Sequence, residues 1–375
     1  MTTSYRQNIT VQGAHVIVCN DDGPQYIWDE VTQEHKANET HEGHQRLLNA
    51  IRKSGPAHIW DTTPATQQSG MGTAIKTGQY VGYEVHKSNS KETAMIVQGT
   101  PADSVLAMIN YVQTKGHDPK EGNDTWLCLS GCNWGTNLGN DVTPSGTVGC
   151  AKYASNDHKI RSVAFSFGDL RGEGLWEETT KSEWHWDAAE KVMTDLIYLI
   201  GQLPEFGSDL WKRKCYLNIN IPDLPLDEIR APRVTVSSYF DKTSRLEDDR
   251  VVLDVPKHSA FGADVSPSRT EHRVGKVYSN GRTIPTHHTD GDIQRFCQGH
   301  VTMTVMRDGV SKESATKFQQ ALEAVFNQYE DLSFQTALQA IHQDAENKRL
   351  NFSGVPVNQN TPSAAISDRG QKVNG

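Results

Sequence analysis

The stretch His15-Val-Ile-Val-Cys19-Asn20-Asp21-Asp22-Gly23-Pro24 begins as an apolar run and ends in two adjacent aspartates and a glycine. The apolar run predicts a buried strand, and the Asp-Asp-Gly that follows predicts a turn at its end. In an open α/β sheet, ligands bind just beyond the carboxyl ends of the strands. Two adjacent carboxylates repel each other there unless a cation neutralises them, and Mg²⁺ prefers oxygen ligands. The alternative is an ordinary turn in which both side chains only cap backbone groups.

Composition narrows the class of protein. The 375 residues allow one large domain or two smaller ones. A formal net charge of -9 argues against a protein that binds a nucleic-acid polymer through a basic face. The chain has no apolar stretch as long as a membrane span, and its N-terminus lacks the apolar part of a signal peptide. The six cysteines are scattered, several of them in apolar runs, which indicates reduced thiols and predicts a cytoplasmic location.

Strands and helices alternate over the first two thirds of the chain. Predicted strands lie near 15–20, 57–60, 80–85, 95–97, 126–130, 162–167 and 216–221. Predicted helices lie at 43–53, after Thr100, from Ser145 to about Ala154, and at 186–203. Thr100-Pro101-Ala102-Asp103 has the pattern of a capping box with proline at the first helical position. The alternation predicts an α/β fold with a Rossmann-like, mostly parallel sheet and helices on both faces.

Other segments interrupt or follow this pattern. The polar stretches 28–42 and 168–185 are interpreted as surface insertions. Between Arg233 and Met306, alternating strands separated by charged loops predict antiparallel hairpins and a subunit contact region. Residues 312–348 have the apolar spacing of two helices, and the chain after about Gly354 has a composition typical of disorder.

Three polar loops each follow an apolar strand: Asn20–Gly23, Thr62–Gly72 and Gly131–Asp141. If these strands are parallel, the loops meet at one edge of the sheet. That arrangement would place five polar side chains together, namely Asp21, Asp22, Ser69, Asn133 and Asn137. Their oxygens suit Mg²⁺ or Mn²⁺. The glycines and asparagines of 131–141 could equally serve only a tight turn.

Ser145-Gly146-Thr147 begins a predicted helix, whose first N–H groups and dipole favour a bound anion. A metal beside such an anion site is the arrangement that phosphoester hydrolysis uses. Ser145 could instead only cap the helix, and Ser69 could be an ordinary loop serine.

Other sites are less well supported. The sequence has no P-loop pattern, no G-x-G-x-x-G after the first strand and no G-x-S-x-G elbow. These absences argue against a P-loop NTPase, a dinucleotide-dependent dehydrogenase and an α/β-hydrolase. Cys128 and Cys132 have no second pair at zinc spacing. His287 and His288, with Asp290 and Asp292, could bind a metal, but adjacent histidines in a charged loop are more often solvated.

Taken together, these segments resemble the survival protein SurE family. The resemblance covers roughly residues 14–308 and rests on an ordered set of motifs: Asn20–Gly23, Gln68–Gly70, Gly99–Asp103, Ser130–Asn137, Ser145–Thr147, Asn218–Pro222 and Gly299–Thr304. The chain departs from the family at Thr136, where the family usually has proline, in the insertions at 28–42 and 168–185, and in the helices after about Asp308.

The resemblance implies a metal-dependent phosphatase that acts on nucleoside 5′- and 3′-monophosphates. By motif, the metal ligands would be Asp21, Asp22, Ser69 and Asn133. The phosphate would contact Asn137, Ser145, Gly146 and Thr147. The family also implies a homodimer or homotetramer that exchanges a protruding hairpin.

We therefore expect a SurE-like phosphatase domain over 14–308 with its hairpin and oligomerisation region at about 233–300. A helical extension over 309–350 and a disordered tail over 351–375 would follow. Asp21 and Asp22 would anchor Mg²⁺ or Mn²⁺ and take part in catalysis, with either a water or an aspartate as nucleophile. The substrate would be a small phosphoester, and neither a nucleic-acid polymer nor a membrane would be a partner. The alternatives are a phosphatase for another small phosphoester and a nucleotide-binding module with little turnover, whose C-terminal helices hold a partner.

Overall fold

The computed structural model describes residues 11–24, 26–29, 34–38, 41–119, 125–169, 184–202, 211, 215–237, 241–252, 272–283, 291–308 and 312–352. Its strands, in chain order, are β1 (His15–Cys19), β2 (Tyr26–Asp29), β3 (Glu34–Ala37), β4 (His58–Pro64), β5 (Tyr83–Ser88), β6 (Glu92–Val97), β7 (Trp126–Trp134), β8 (Arg161–Gly168), β9 (Cys215–Pro222), β10 (Arg230–Thr235), β11 (Asp241–Val252), β12 (His272–Thr283) and β13 (His300–Arg307). Its α-helices are α1 (Glu42–Lys53), α2 (Pro101–Thr114), α3 (Gly146–His158), α4 (Trp186–Gln202), α5 (Asp292–Cys297), α6 (Lys312–Phe326) and α7 (Phe334–Phe352).

Nine of these strands form one mixed, mostly parallel sheet in the order β10-β13-β9-β8-β7-β1-β4-β6-β5. From the central strand β1 the chain moves outward through β4 and β6, and then returns to the other side of β1 as β7, β8 and β9. β1 is parallel to both β4 and β7. The crevice beyond the carboxyl ends of β1 and β7 is therefore the topological switch point, where α/β sheets bind their ligands. The predicted α/β fold is confirmed.

Apolar side chains fill both faces of the sheet. Val18, Leu129 and Phe165 belong to a large core with α1, α4, α6 and α7, whereas Ile17 and Met95 belong to a second core under α2 and α3. The strands are apolar on both faces because helices cover both, as the continuous apolar runs predict. None of the helices in the described ranges is both long enough and apolar enough to cross a membrane.

Local capping signals in the sequence are borne out. The Thr100 hydroxyl accepts a hydrogen bond from the Asp103 N–H at 3.1 Å, and the Asp103 carboxylate accepts one from the Thr100 N–H at 2.9 Å. Pro101 occupies the first turn of α2, where its missing N–H costs nothing. These contacts join residues that are three positions apart, so the sequence alone is enough to predict them.

Pairings between distant segments differ from the sequence-based expectation. β7 does not stop at Ser130 but continues to Trp134, with a register shift against β8 between Ser130 and Asn133. Gly131 causes no break because it lies at this bulge with φ +112°, where a Cβ would lie 2.2 Å from the Phe165 carbonyl oxygen.

The segment from Arg233 to Met306 contains more than hairpins. β11 and β12 do form an antiparallel ribbon, but β13 joins the main sheet antiparallel to β9, and β10 lies parallel to β13. The polar stretch 28–42 includes part of a second short hairpin, β2–β3, and the beginning of α1. Most of the 168–185 stretch and of the predicted tail lies outside the described residues, so those two interpretations stay predictions.

The core position of α6 leads to a stability prediction. Phe318 is fully buried in the large core, whereas Gln320 lies on the exposed side of the same helix. We expect Phe318→Ala to lower the free energy of unfolding by about 3–5 kcal/mol because it leaves a cavity. We expect Gln320→Ala to change it by less than about 0.5 kcal/mol. Urea unfolding followed by circular dichroism measures both, and equal effects would show that α6 is not part of the core.

Candidate active site

The end of β1 is a turn that buries three consecutive polar residues. Asn20, Asp21 and Asp22 are exposed by only 0%, 3% and 2%. The Asn20 side-chain oxygen accepts a hydrogen bond from the Asp22 N–H at 2.9 Å, which is an Asx turn, and Gly23 completes the reversal with φ +84°. The other side-chain atom of Asn20, Nδ2, is buried and has no hydrogen-bond partner among the described residues. The turn thus presents two carboxylates and one unused donor in a buried position.

Asp21 is held by the first turn of α3. The Thr147 hydroxyl donates a short hydrogen bond to Asp21 Oδ1, and the same hydroxyl lies 3.3 Å from Asn133 Oδ1. Gly146 permits this approach, since a Cβ at that position would lie 2.7 Å from both Cβ and Oδ2 of Asp21. The structure therefore brings Asp21 and Asn133 together and places the helix start at Gly146 and Thr147 beside them.

Electrostatics make both aspartates costly to ionise. Burial raises the pKa of Asp21, although the Thr147 hydroxyl and the N–H groups of Thr147 and Gly146 act in the opposite direction. Burial and the neighbouring charge of Asp21 raise the pKa of Asp22 well above the ordinary range of an aspartate. A cation between them would offset both effects.

The neutral oxygens complete a possible metal site. Asn133 Nδ2 donates to the Gly135 carbonyl oxygen at 2.8 Å, which turns Oδ1 towards Thr147 and Asp21. The Gln68 N–H donates to the Asp21 carbonyl oxygen at 2.8 Å, and the following residue, Ser69, is exposed. In the described part of the chain, no group of three or more His, Cys, Asp or Glu side chains could hold a metal ion. The candidate metal ligands are not a group of that type, because they combine two carboxylates with a hydroxyl and an amide oxygen.

Ser145 caps α3, as one of the two interpretations of the sequence predicted. Its hydroxyl oxygen accepts a hydrogen bond from the Val148 N–H at 3.1 Å. The Gly72 N–H donates to the Pro144 carbonyl oxygen at 2.8 Å and fastens the Ser69 loop to the beginning of this helix. The N–H groups of Gly146 and Thr147, predicted to contact phosphate, face the Asp21 carboxylate in this structure.

Asn137 is held by the neighbouring strands rather than by the Asp21 group. Its side-chain nitrogen donates to the Ser166 hydroxyl at 2.8 Å, and its N–H donates to Asn220 Oδ1 at 2.7 Å. Asn218 and Asn220 both donate to its carbonyl oxygen. The sequence signal for this network is the alternation of Asn218 and Asn220 on a buried strand. Both residues belong to the motif Asn218–Pro222, for which no role was predicted.

No role was predicted from the sequence for the two histidines at the start of α1, His41 and His44. His41 Nδ1 lies 3.0 Å from the Gly23 carbonyl oxygen, and His44 Nε2 lies 2.7 Å from Asp61 Oδ1. Their spacing of three residues at a helix start was the available signal, but the interpretation of 28–42 as an insertion obscured it.

The less supported metal site of the sequence analysis contains Asp292, which is buried and accepts a hydrogen bond from the Gly139 N–H at 3.0 Å. His287, His288 and Asp290 lie outside the described residues.

Aromatic side chains lie next to Asn133. Trp134 follows it at the end of β7, and its indole meets that of Trp184 edge to face at 5.5 Å between ring centroids. Both indoles are partly exposed, whereas Trp186 behind them is buried. The Trp134 backbone N–H faces Asp22 Oδ2 at 3.5 Å, so this aromatic pair lies close to the aspartates.

Comparison with known proteins identifies the family and agrees with the fold. The family model of the survival protein SurE matches residues 16–243. The 5'-nucleotidase SurE of Carboxydothermus hydrogenoformans is 31% identical over 212 residues, which are 56% of this chain and 71% of that protein. The 5'-nucleotidase SurE of Brucella anthropi is 26% identical over 245 residues, covering 65% of this chain and 85% of its own. The SurE protein from Aquifex aeolicus, a crystal structure, has a TM-score of 0.50 and 21% identity, covering 83% of this chain and 98% of its own, and so shares the fold. The chain belongs to the survival protein SurE family.

Proposed function

We propose that this chain is a metal-dependent phosphomonoesterase that hydrolyses nucleoside 5′- and 3′-monophosphates to nucleoside and phosphate. The observation that carries the proposal is the meeting of buried Asp21 and Asp22 with Asn133 and Thr147 at the switch point of the sheet. The relatives named 5'-nucleotidase support a nucleotide substrate. The partly exposed Trp134 and Trp184 support it too, since nucleobases stack on such rings.

The residues fit a hard divalent cation. Asp21 and Asp22 would supply the charge, and Ser69 and Asn133 would supply neutral oxygens, which together suit Mg²⁺ or Mn²⁺. When bound, the metal polarises the phosphoryl oxygens and lowers the pKa of a water. The two raised pKa values are the sign of this fit, because adjacent buried carboxylates gain most from a cation.

Other groups of the site would bind the phosphate and move the proton. Asn20 Nδ2, which is buried without a partner among the described residues, is available to donate to a phosphate oxygen. Ser145 holds the first turn of α3, whose Gly146 and Thr147 N–H groups favour an anion. Asp21 or Asp22 would accept the proton of an attacking water. Direct attack by an aspartate is the alternative, and phosphoryl trapping on the protein would distinguish the two.

The proposal extends to assembly and location. We propose a homodimer or homotetramer whose subunits meet through β11 and β12, since a two-stranded ribbon on its own is only marginally stable in water. A cytoplasmic location agrees with six cysteines that form no disulfide in this structure. Of the alternatives, the partner-holding module is the less favoured, because Phe318, Phe326 and Phe334 of the C-terminal helices are packed into the core.

A substrate panel tests the proposed function. We expect hydrolysis of nucleoside 5′- and 3′-monophosphates with Mg²⁺ or Mn²⁺, and its loss in chelator. Asp21→Asn should lower kcat/KM by on the order of 100-fold or more, as removal of one group that stabilises the transition state does. Asp187→Asn, at an almost fully exposed position, is the control and should have no effect. Activity without metal, or undiminished activity in Asp21→Asn, would refute the assignment. Faster turnover of another phosphoester would favour the alternative, a phosphatase for a different small phosphoester.

Metal-free stability tests the charge argument. The pKa of Asp22 is raised in the fold, so ionisation costs stability as the pH rises from the unfolded pKa through the folded one. The loss is about 1.4 kcal/mol for each unit by which the pKa is raised. We expect Asp22→Asn to remove part of this loss and so to be more stable than the unsubstituted protein at pH 8 without metal. The variant should gain nothing from Mn²⁺. Chemical unfolding at pH 5 and pH 8, with and without Mn²⁺, measures both effects, and a less stable metal-free variant would contradict the argument.

Thr147 permits a matched pair of variants. Thr147→Val removes the hydroxyl that donates to Asp21, and Thr147→Ser keeps it. We expect the valine variant to bind Mn²⁺ 10 to 100 times more weakly, roughly the effect of losing a group that orients a metal ligand, and the serine variant to stay close to the original affinity. Titration calorimetry measures both, and equal affinities would mean that the hydroxyl has no part in metal binding.

A further inference from the structure

The fully buried His44 pairs with the partly buried Asp61, and the proposed mechanism uses neither residue. His44 lies in the first turn of α1 with no exposed surface. Its Nδ1 lies 3.0 Å from the Gly131 carbonyl oxygen, and its Nε2 lies 2.7 Å from Asp61 Oδ1. A carbonyl oxygen and a carboxylate can only accept, so both ring nitrogens must donate. An imidazole that donates from both nitrogens is a cation.

The surroundings agree with this charge. Burial alone would lower the pKa of His44, but the facing carboxylate of Asp61 raises it. The same pair keeps the pKa of Asp61 below the ordinary value in spite of its burial. Among the described residues, the titratable groups that face His44 are Asp61 from β4 and Cys19 from β1, and the His41 ring lies beside it.

The neighbouring histidine has the opposite state. His41 Nδ1 faces the Gly23 carbonyl oxygen, but its Nε2 faces the side-chain nitrogen of Gln45 at 2.8 Å, which is a donor. His41 therefore accepts there and is neutral. Burial and the charge of His44 lower its pKa to about 4. With the two rings 5.0 Å apart, the hydrogen-bond partners fix one charge on His44.

The contacts of the pair connect to the loops that carry the candidate ligands. Gly131 lies two residues before Asn133, and Asp61 is in register with Val18 on β1, three residues before Asp21. At Gly43, a Cβ would lie 2.1 Å from the Cys132 carbonyl oxygen, so the backbone of α1 lies directly against this part of β7. His44 thus connects β4, at Asp61, with β7, at Gly131, from a helix that packs tightly against β7.

We propose that His44 is a positioning residue that acts as a fixed cation: paired with Asp61, it holds the Gly131 carbonyl and so sets the position of Asn133 relative to Asp21 and Asp22. The pair also prevents Asp61 from being a third uncompensated carboxylate near the site. The catalytic consequence rests on the proposed function, whereas the charge state of His44 does not.

The charge state is measured directly by NMR. In full-length protein labelled with ¹⁵N-histidine, long-range ¹H–¹⁵N spectra distinguish imidazolium from either neutral tautomer, and His44→Gln assigns the signal. We expect His44 to be doubly protonated at pH 7.5 and His41 to be neutral. In Asp61→Asn, His44 should become neutral at the same pH. A neutral His44 in the unsubstituted protein would overturn the proposal.

A double-mutant cycle measures the positioning effect. We expect His44→Gln to lower kcat/KM or Mn²⁺ affinity 10- to 100-fold, the range for loss of a group that orients a metal ligand. His44→Gln combined with Asp61→Asn should recover part of the loss, because it leaves no uncompensated charge. His58→Gln, at the opposite end of β4, is the control and should be unaffected.

The outcomes of these experiments separate the two proposals. Unchanged kinetics and Mn²⁺ affinity in a folded His44→Gln protein would refute the positioning role. If His44→Gln does not fold, the NMR state of His44 in Asp61→Asn and the Mn²⁺ affinity of that variant decide instead. If the unsubstituted protein hydrolyses no phosphoester, the proposed function fails, while the NMR result still decides the charge of His44.

Discussion

Two carboxylates that are adjacent in the sequence and buried at the end of the central strand determine how the rest of the site is built. Burial and mutual repulsion oppose the ionisation of Asp21 and Asp22, so their surroundings must either neutralise them or keep them protonated. The fold supports Asp21 with the Thr147 hydroxyl and the first N–H groups of α3. Asp22 has fewer stabilising hydrogen bonds, and its pKa is raised well above the ordinary value of an aspartate. This imbalance is what a divalent cation would correct.

The sheet order explains why the supporting groups come from distant parts of the chain. β1 has β4 on one side and β7 on the other, so a group placed after β1 can be reached from both neighbours. α3 approaches the turn from one face of the sheet through Gly146, and α1 approaches the other face through Gly43. In both helices a glycine permits the close contact, and a polar side chain in the first turn then fixes it.

Features that depend on neighbours in the sequence could be predicted, whereas features that depend on distant partners could not. The Asp21–Asp22 turn, the capping box at Thr100 and the cap at Ser145 each involve residues within three positions, and all three are present. The continuation of β7 past Gly131 depends on its pairing with β8, and the main-sheet position of β10 depends on β13. The charge of His44 depends on Asp61 and Gly131, which lie 17 and 87 residues away.

The predicted phosphate contact of Asn137 stays a prediction, and the fold gives its side chain and backbone partners of their own. The family resemblance assigns it to the phosphate, but its amide binds Ser166 and its backbone is held by Asn218 and Asn220. These hydrogen bonds tie Asn137 to β8 and β9, and Asn218 Oδ1 is buried with no hydrogen-bond partner among the described residues. The segment Gly131–Asn137 is therefore held at both ends, by His44 at Gly131 and by β9 at Asn137. Asn133 lies between these two anchors, and its position relative to the aspartates follows from them rather than from its own contacts alone.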